Sequence, residues 1–152
     1  MDISERIAGK IHGKRVLILC VGNELKADDG LGKYVFDRLA TKDKIYCGEM
    51  PENFISKIKS REPNPEVVII IDAVDFNATP GEMVFANVDQ FEKQSLSTHS
   101  LSFTILKKML PGVEIYVLGA QPRSLEFGKE ISDGIKKSAE IMIEILDKKH
   151  NE

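Results

Sequence analysis

What most limits how this chain can fold is its alternation of apolar, strand-like runs with amphipathic stretches of helical period. "RVLILCV" (15–21) and "EVVIIIDAVD" (66–75) are nearly unbroken aliphatic runs, the pattern of strands buried on both faces, as in a parallel sheet covered by helices. Between them, "GLGKYVFDRLA" (30–40) carries Leu31, Tyr34, Val35 and Leu39 at helical spacing, and "ENFISKIKSR" (52–61) sets Phe54, Ile55 and Ile58 on one helical face. "KIYC" (44–47) reads as a short second strand. "GEMVFANV" (81–88), after the turn signal Thr79-Pro80-Gly81, reads as a half-exposed strand. Residues 100–109 read as a helix, "VEIYVLGA" (113–120) as a strand and 131–149 as a long amphipathic helix. The pattern predicts an α/β fold: a three-layer αβα sandwich with a mostly parallel twisted sheet of about five strands, one domain over residues 1–152.

Charge narrows the partners. A net charge of -3 and a pI near 5.7 give no basis for binding nucleic acid or an anionic membrane. No apolar run reaches the length of a membrane span, and the start MDISERIAGK lacks a signal-peptide core. Two cysteines, Cys20 and Cys47, make no disulfide framework, and the expected compartment is the cytosol.

In open parallel sheets ligands bind beyond the carboxyl ends of the strands, so the residues after each strand are the ones to inspect. Gly22, Asn23, Asp28 and Asp29 come after the first strand, in "GNELKADDGLG" (22–32). Asp72 and Asp75 close the third, and His99 sits in "STHSLS" (97–102). Each has a plain structural reading. Asp28 or Asp29 would stabilise a helix start by ~0.5–1 kcal/mol; Asp72 could cap a turn, and a lone loop histidine is usually incidental. Their convergence is what points to chemistry. Carboxylates with one imidazole make an open metal site of intermediate hardness, unlike the four-ligand, cysteine-rich site of a structural zinc. Ser97, Thr98 and Ser100 beside His99 suggest a hydrolytic triad, but no GxSxG elbow is present and adjacency in sequence is poor triad geometry. GxGxxG and P-loop spacings are absent, which excludes the usual nucleotide sites.

Six motifs in register, "GNELKADDGLG", "PEN" (51–53), "IDAVD" (71–75), "PGE" (80–82), "STHSLS" and "LGAQP" (118–122), resemble the maturation endopeptidases of nickel–iron hydrogenases. The similarity is closest to the branch serving the formate-hydrogenlyase-type hydrogenase 3 and runs from Arg15 to about Leu146. It implies an αβα sandwich and a single cut that removes the C-terminal extension of the hydrogenase large-subunit precursor after nickel insertion. Carried over position by position, it implies that Asp29, Asp72 and His99 form the metal and catalytic site, with Asp28 and Asp75 as neighbours. The nickel would arrive on the precursor's thiolates rather than be held permanently, and the enzyme would act as a monomer. The alternative is a non-catalytic chaperone that checks nickel in the same precursor.

The paired aspartates are expected to divide the work, Asp28 facing the helix that begins near Gly30 and Asp29 pointing to the metal. Gly30 and Gly32 are expected to let that helix start close to the substrate backbone. One departure concerns substrate recognition: relatives carry an acid and paired glycines after the second strand, where this chain has "YCGEMPEN" (46–53). Tyr46 stands at the acidic position and Cys47 at the first glycine, which leaves Gly48 and Glu49 as the candidate recognition residues, Glu49 compensating for the lost acid. Cys47 reads as a small residue filling a glycine site rather than as a nickel ligand.

Overall fold

The computed structural model describes residues 1–94 and 99–150. Helix α1 (Ile3–Ile11) leads into strand β1 (Val16–Val21), and a 3-10 turn (Ala27–Gly30) opens helix α2 (Leu31–Arg38). Strand β2 (Lys44–Gly48), a second 3-10 turn (Pro51–Phe54) and the short helix α3 (Ile55–Lys59) precede strand β3 (Val67–Ala73). Strand β4 (Met83–Asn87), helices α4 (Val88–Gln94) and α5 (Ser100–Met109), strand β5 (Glu114–Ala120) and helix α6 (Asp133–His150) complete the order.

The strands form one sheet in the order β2-β1-β3-β5-β4. β1 pairs in parallel with β2 and β3, and β3 in parallel with β5. The edge strand β4 runs antiparallel to β5. The mostly parallel sheet expected from the sequence is therefore what forms, with one antiparallel pair at its edge.

The two-residue period of the central strands builds two cores. Ile18 and Cys20 of β1, with Val67, Ile69 and Ile71 of β3, pack beneath α1, α2 and α6. Leu17, Leu19 and Val21, with Val68 and Ile70, pack against α3, α4 and α5 on the other face. Every residue of β3 is buried, which is why that stretch reads as the most apolar in the chain. Among the described residues no helix is long and apolar enough to cross a membrane.

Two elements go beyond the sequence reading. The N-terminal segment, read there only for targeting signals, forms α1: Asp2 caps it by accepting the Glu5 amide at 2.9 Å, and Ile7 and Ile11 enter the core. The short helix α4 after β4 was not expected either. The helix expected over 52–61 is shorter and split, because Pro51 opens a 3-10 turn before the α-helical residues begin.

The chain leaves β1 for β2 on one side and returns to β3 on the other. The strand order therefore reverses between β1 and β3, the place where such sheets form a crevice at their carboxyl ends.

Candidate active site at the carboxyl ends of the strands

The crevice is built from the backbone upward. At the end of β1, Gly22 has φ +133, and a Cβ there would lie 2.1 Å from the Asp29 carbonyl oxygen, so only glycine admits the 3-10 turn this close to the strand. The turn brings Asp29 back over the strand end, where its Oδ2 accepts the Asn23 amide at 2.8 Å. The Tyr46 hydroxyl donates to the Gly22 carbonyl at 2.9 Å, so the residue at the relatives' acidic position holds the same turn from β2. Asp29 is buried. Burial is the main cause that pushes its carboxyl above the usual range, and Glu49 adds to it; the Asn23 amide, His99 and Lys26 oppose.

Asp72 is the penultimate residue of β3 and wholly buried. Its Oδ2 lies 3.0 Å from Nδ1 of His99, the buried residue at the N-terminal boundary of α5. A carboxylate beside Nδ1 holds the proton on that nitrogen, which leaves Nε2 of the neutral ring with its lone pair facing the crevice. Burial by itself would depress the imidazole pKa. The hydrogen bond to Asp72 and the charges of Asp72, Asp29 and Glu49 together outweigh it and raise the pKa above the ordinary histidine value.

The third contribution comes from β2. Its last residue, Gly48, takes φ +58, and its carbonyl accepts the Gly22 amide at 2.8 Å, tying the two strand ends together. The next residue, Glu49, is half-exposed, with Oε1 4.0 Å from His99 Nε2. Among the described residues, Asp29, Glu49 and His99 form a group whose ligand atoms all lie within 4.8 Å of one another. Asp72, expected as a metal ligand, is not in that group; its Oδ2 meets His99 at Nδ1, while Glu49 approaches at Nε2. The donor set is oxygen and nitrogen without thiolate, which suits divalent first-row ions such as nickel.

The other candidates fall elsewhere. Asp28 does not face the start of α2, which has no side-chain cap. It is buried and accepts the amides of Arg123 at 2.8 Å and Ser132 at 2.7 Å and the Ser132 hydroxyl at 3.0 Å, fastening the loop after β5. Gly32 packs against β1 rather than beside a substrate: a Cβ there would lie 2.3 Å from the Val21 carbonyl oxygen. Asp75 accepts the Asn77 amide and the Gln121 side-chain amide in a turn outside the cluster. Cys47 is buried in the core, where burial pushes its thiol up to about 12. Ser97 and Thr98 lie outside the described residues.

Sequence reasoning connected Glu49 with substrate recognition and missed its approach to His99. The signal was its position: Glu49 directly succeeds the last residue of β2, at the same sheet edge as Asp29 and Asp72. Four large apolar side chains left exposed, Leu25, Met50, Leu101 and Phe127, lie on segments that carry or adjoin the cluster. Leu25 and Phe127 belong to loops joined by the Gly128 amide on the Leu25 carbonyl at 3.0 Å.

Residues 38–149 match the family model for hydrogenase maturation protease, HycI. The hydrogenase 3 maturation protease of Escherichia coli K12 is 32% identical over 86% of this chain and 88% of its own length. Among solved structures, a nickel–iron hydrogenase maturation protease HycI from Thermococcus kodakarensis superposes with a TM-score of 0.82 at 30% identity, covering 97% of this chain and 99% of that one. The solution structure of the endopeptidase HycI from Escherichia coli gives a TM-score of 0.73 at 26% identity, covering 88% and 90%.

Proposed function

The chain belongs to the hydrogenase maturation protease family, and we propose that it cuts the C-terminal extension from a nickel–iron hydrogenase large-subunit precursor once nickel has been inserted. The observation that carries this reading is the buried His99–Asp72 pair, 3.0 Å apart, whose other ring nitrogen, Nε2, lies 4.0 Å from Glu49 in a cluster that includes Asp29. A protein positions an imidazole this way, against an internal carboxylate, when the other nitrogen is to serve as a ligand or a base.

Asp29, Asp72 and His99 form the working site. Asp29 and His99 Nε2 complete the coordination of nickel that the precursor brings on its own thiolates, and Asp72 fixes the ring that presents Nε2. The nickel is thus part of the substrate rather than a resident cofactor, and a precursor without it offers nothing for these groups to hold. Nickel held by these residues would supply Lewis-acid polarisation of a carbonyl or a water molecule. A neighbouring carboxylate accepts the proton released as water attacks the peptide bond. Gly48 and Glu49 border the path of the incoming segment, and the exposed Leu25, Met50, Leu101 and Phe127 offer it apolar contacts. The protein works as a monomer in the cytosol, where the precursor is made.

The test is incubation with purified large-subunit precursors, with and without nickel, read by mass spectrometry. A nickel-dependent loss of the C-terminal extension supports the reading. Binding without shortening would instead make the protein a nickel-checking chaperone, and shortening without nickel would remove the metal from the reaction.

A further inference from the structure

We infer that Glu49 is a metal donor, and that with Asp29 and His99 it lets the protein alone bind a divalent first-row cation, without a precursor present. The inference deepens the reading above and rests on it for the identity of the ion.

Three observations carry it. The first is distance: one ligand atom from each of Asp29, Glu49 and His99 lies within 4.8 Å of the other two, and the Glu49–His99 separation is 4.0 Å. Metal–oxygen and metal–nitrogen bonds of about 2.0–2.2 Å place neighbouring donors around 3 Å apart. The cluster therefore needs only a modest contraction to share an ion. The second is the way the three donors are mounted. Asp29 is held by the Asn23 amide and His99 by Asp72, both buried, whereas Glu49 is half-exposed on a long side chain. Two donors are fixed, and the third can swing the remaining distance.

The third observation is the backbone beneath Glu49. Gly48 turns through φ +58 while its carbonyl is pinned by the Gly22 amide, so the glutamate leaves β2 at the same strand junction that supports Asp29. At 4.0 Å Glu49 and His99 are within ion-pair range but make no hydrogen bond, a spacing that an ion held between them would close. An imidazole backed at Nδ1 by Asp72 and grouped on its ligand side with Glu49 and Asp29 has the parts of the carboxylate–histidine–metal arrangement. Three donors on one side leave the remaining positions open to ligands supplied by a substrate.

The experiment is titration of the purified protein with Ni²⁺ alone by calorimetry, and with Co²⁺ monitored by its visible absorption, beside the precursor assay. Wild type should bind one ion. Glu49→Gln should weaken binding by tenfold or more, since loss of an outer partner alone costs about 10–100-fold and a donor no less. Asp72→Asn should weaken it by about 10–100-fold while leaving the Glu49 contribution in place. Glu49 is half-exposed, so the variant should keep the wild-type urea midpoint, and Glu144→Gln on the exposed face of α6 should bind like wild type. A Glu49→Gln affinity within twofold of wild type would overturn the inference, as would a wild type that binds no ion yet cuts the nickel-loaded precursor. Glu49-dependent ion binding with no precursor shortened would sustain the metal site and remove the peptidase reading instead.

Discussion

Asp28 offers the sharpest test of how the site is supported. Placed at a helix N-terminus it would contribute only about 0.5–1 kcal/mol. Its observed partners imply more, because Asp28→Ala strands the amides of Arg123 and Ser132, which lie 2.8 and 2.7 Å from the carboxylate. The Ser132 hydroxyl can rotate toward water, but each stranded amide costs about 1–3 kcal/mol where it stays dry. With partial rewetting of a loop, the expected loss is about 2–4 kcal/mol. Asp28→Asn keeps one acceptor oxygen and should lose about half as much. Urea melts monitored by circular dichroism supply the numbers. Repeating them in added salt separates the two origins, since an exposed dipole interaction is screened and a buried hydrogen bond is not. A double-mutant cycle with Ser132→Ala should show coupling of about 0.5 kcal/mol or more. An Asp28→Ala loss under about 1 kcal/mol that shrinks with salt would refute the loop-fastening role.

The same geometry sets further outcomes. Asp29→Asn should change stability by less than about 1 kcal/mol, because the amide oxygen can still accept the Asn23 amide and a buried charge is removed, yet precursor processing should stop; the paired melts and digests check both. Gly32→Ala should cost about 3 kcal/mol or more in a urea melt, since its Cβ would lie 2.3 Å from the Val21 carbonyl in a strand paired on both sides. Tyr46→Phe should cost about 0.5–1.5 kcal/mol through the lost bond to Gly22, with processing reduced less than by Asp29→Asn. Dialysis against a chelator should leave the circular dichroism spectrum unchanged, because the two apolar cores need no ion.

The central architecture was legible because the strands that define it are buried on both faces, and a run such as Val67 to Ile71 has no other comfortable place than between two layers of helices. The site's address was legible for the same reason: parallel strands end together, so Asp28, Asp29, Asp72, Asp75 and His99 could be gathered from connections distant in sequence, and only the family resemblance singled out Asp29, Asp72 and His99 among them. Two things were less legible. The edge strand β4 alternates like any half-exposed strand, and its direction depends on β5, which lies beyond two intervening helices. The partners of Asp28 lie 95 and 104 residues away, so nothing local to "GNELKADDGLG" distinguishes a helix cap from a loop anchor. Glu49 depends likewise on how Gly48 meets Gly22 across two strands.

Adjacent carboxylates in an enzyme invite the idea of a shared-proton pair, and the 3-10 turn shows why Asp28 and Asp29 do not form one. Successive residues in such a turn point about 120° apart. One step along the backbone therefore sends Asp28 toward the amides of Arg123 and Ser132 and Asp29 toward Asn23 and the cluster. Asp72 has a partner of its own, meeting His99 at Nδ1 while Glu49 approaches the ring at Nε2. Each of the three aspartates thus has its own partner: backbone amides, a strand-end amide and an imidazole. Repulsion between neighbouring charges is relieved by giving them separate tasks. An aspartic-peptidase mechanism built on two carboxylates holding one proton needs them about 3 Å apart. Separate partners for the three carboxylates accord with the metal-assisted reading proposed above rather than with a shared proton.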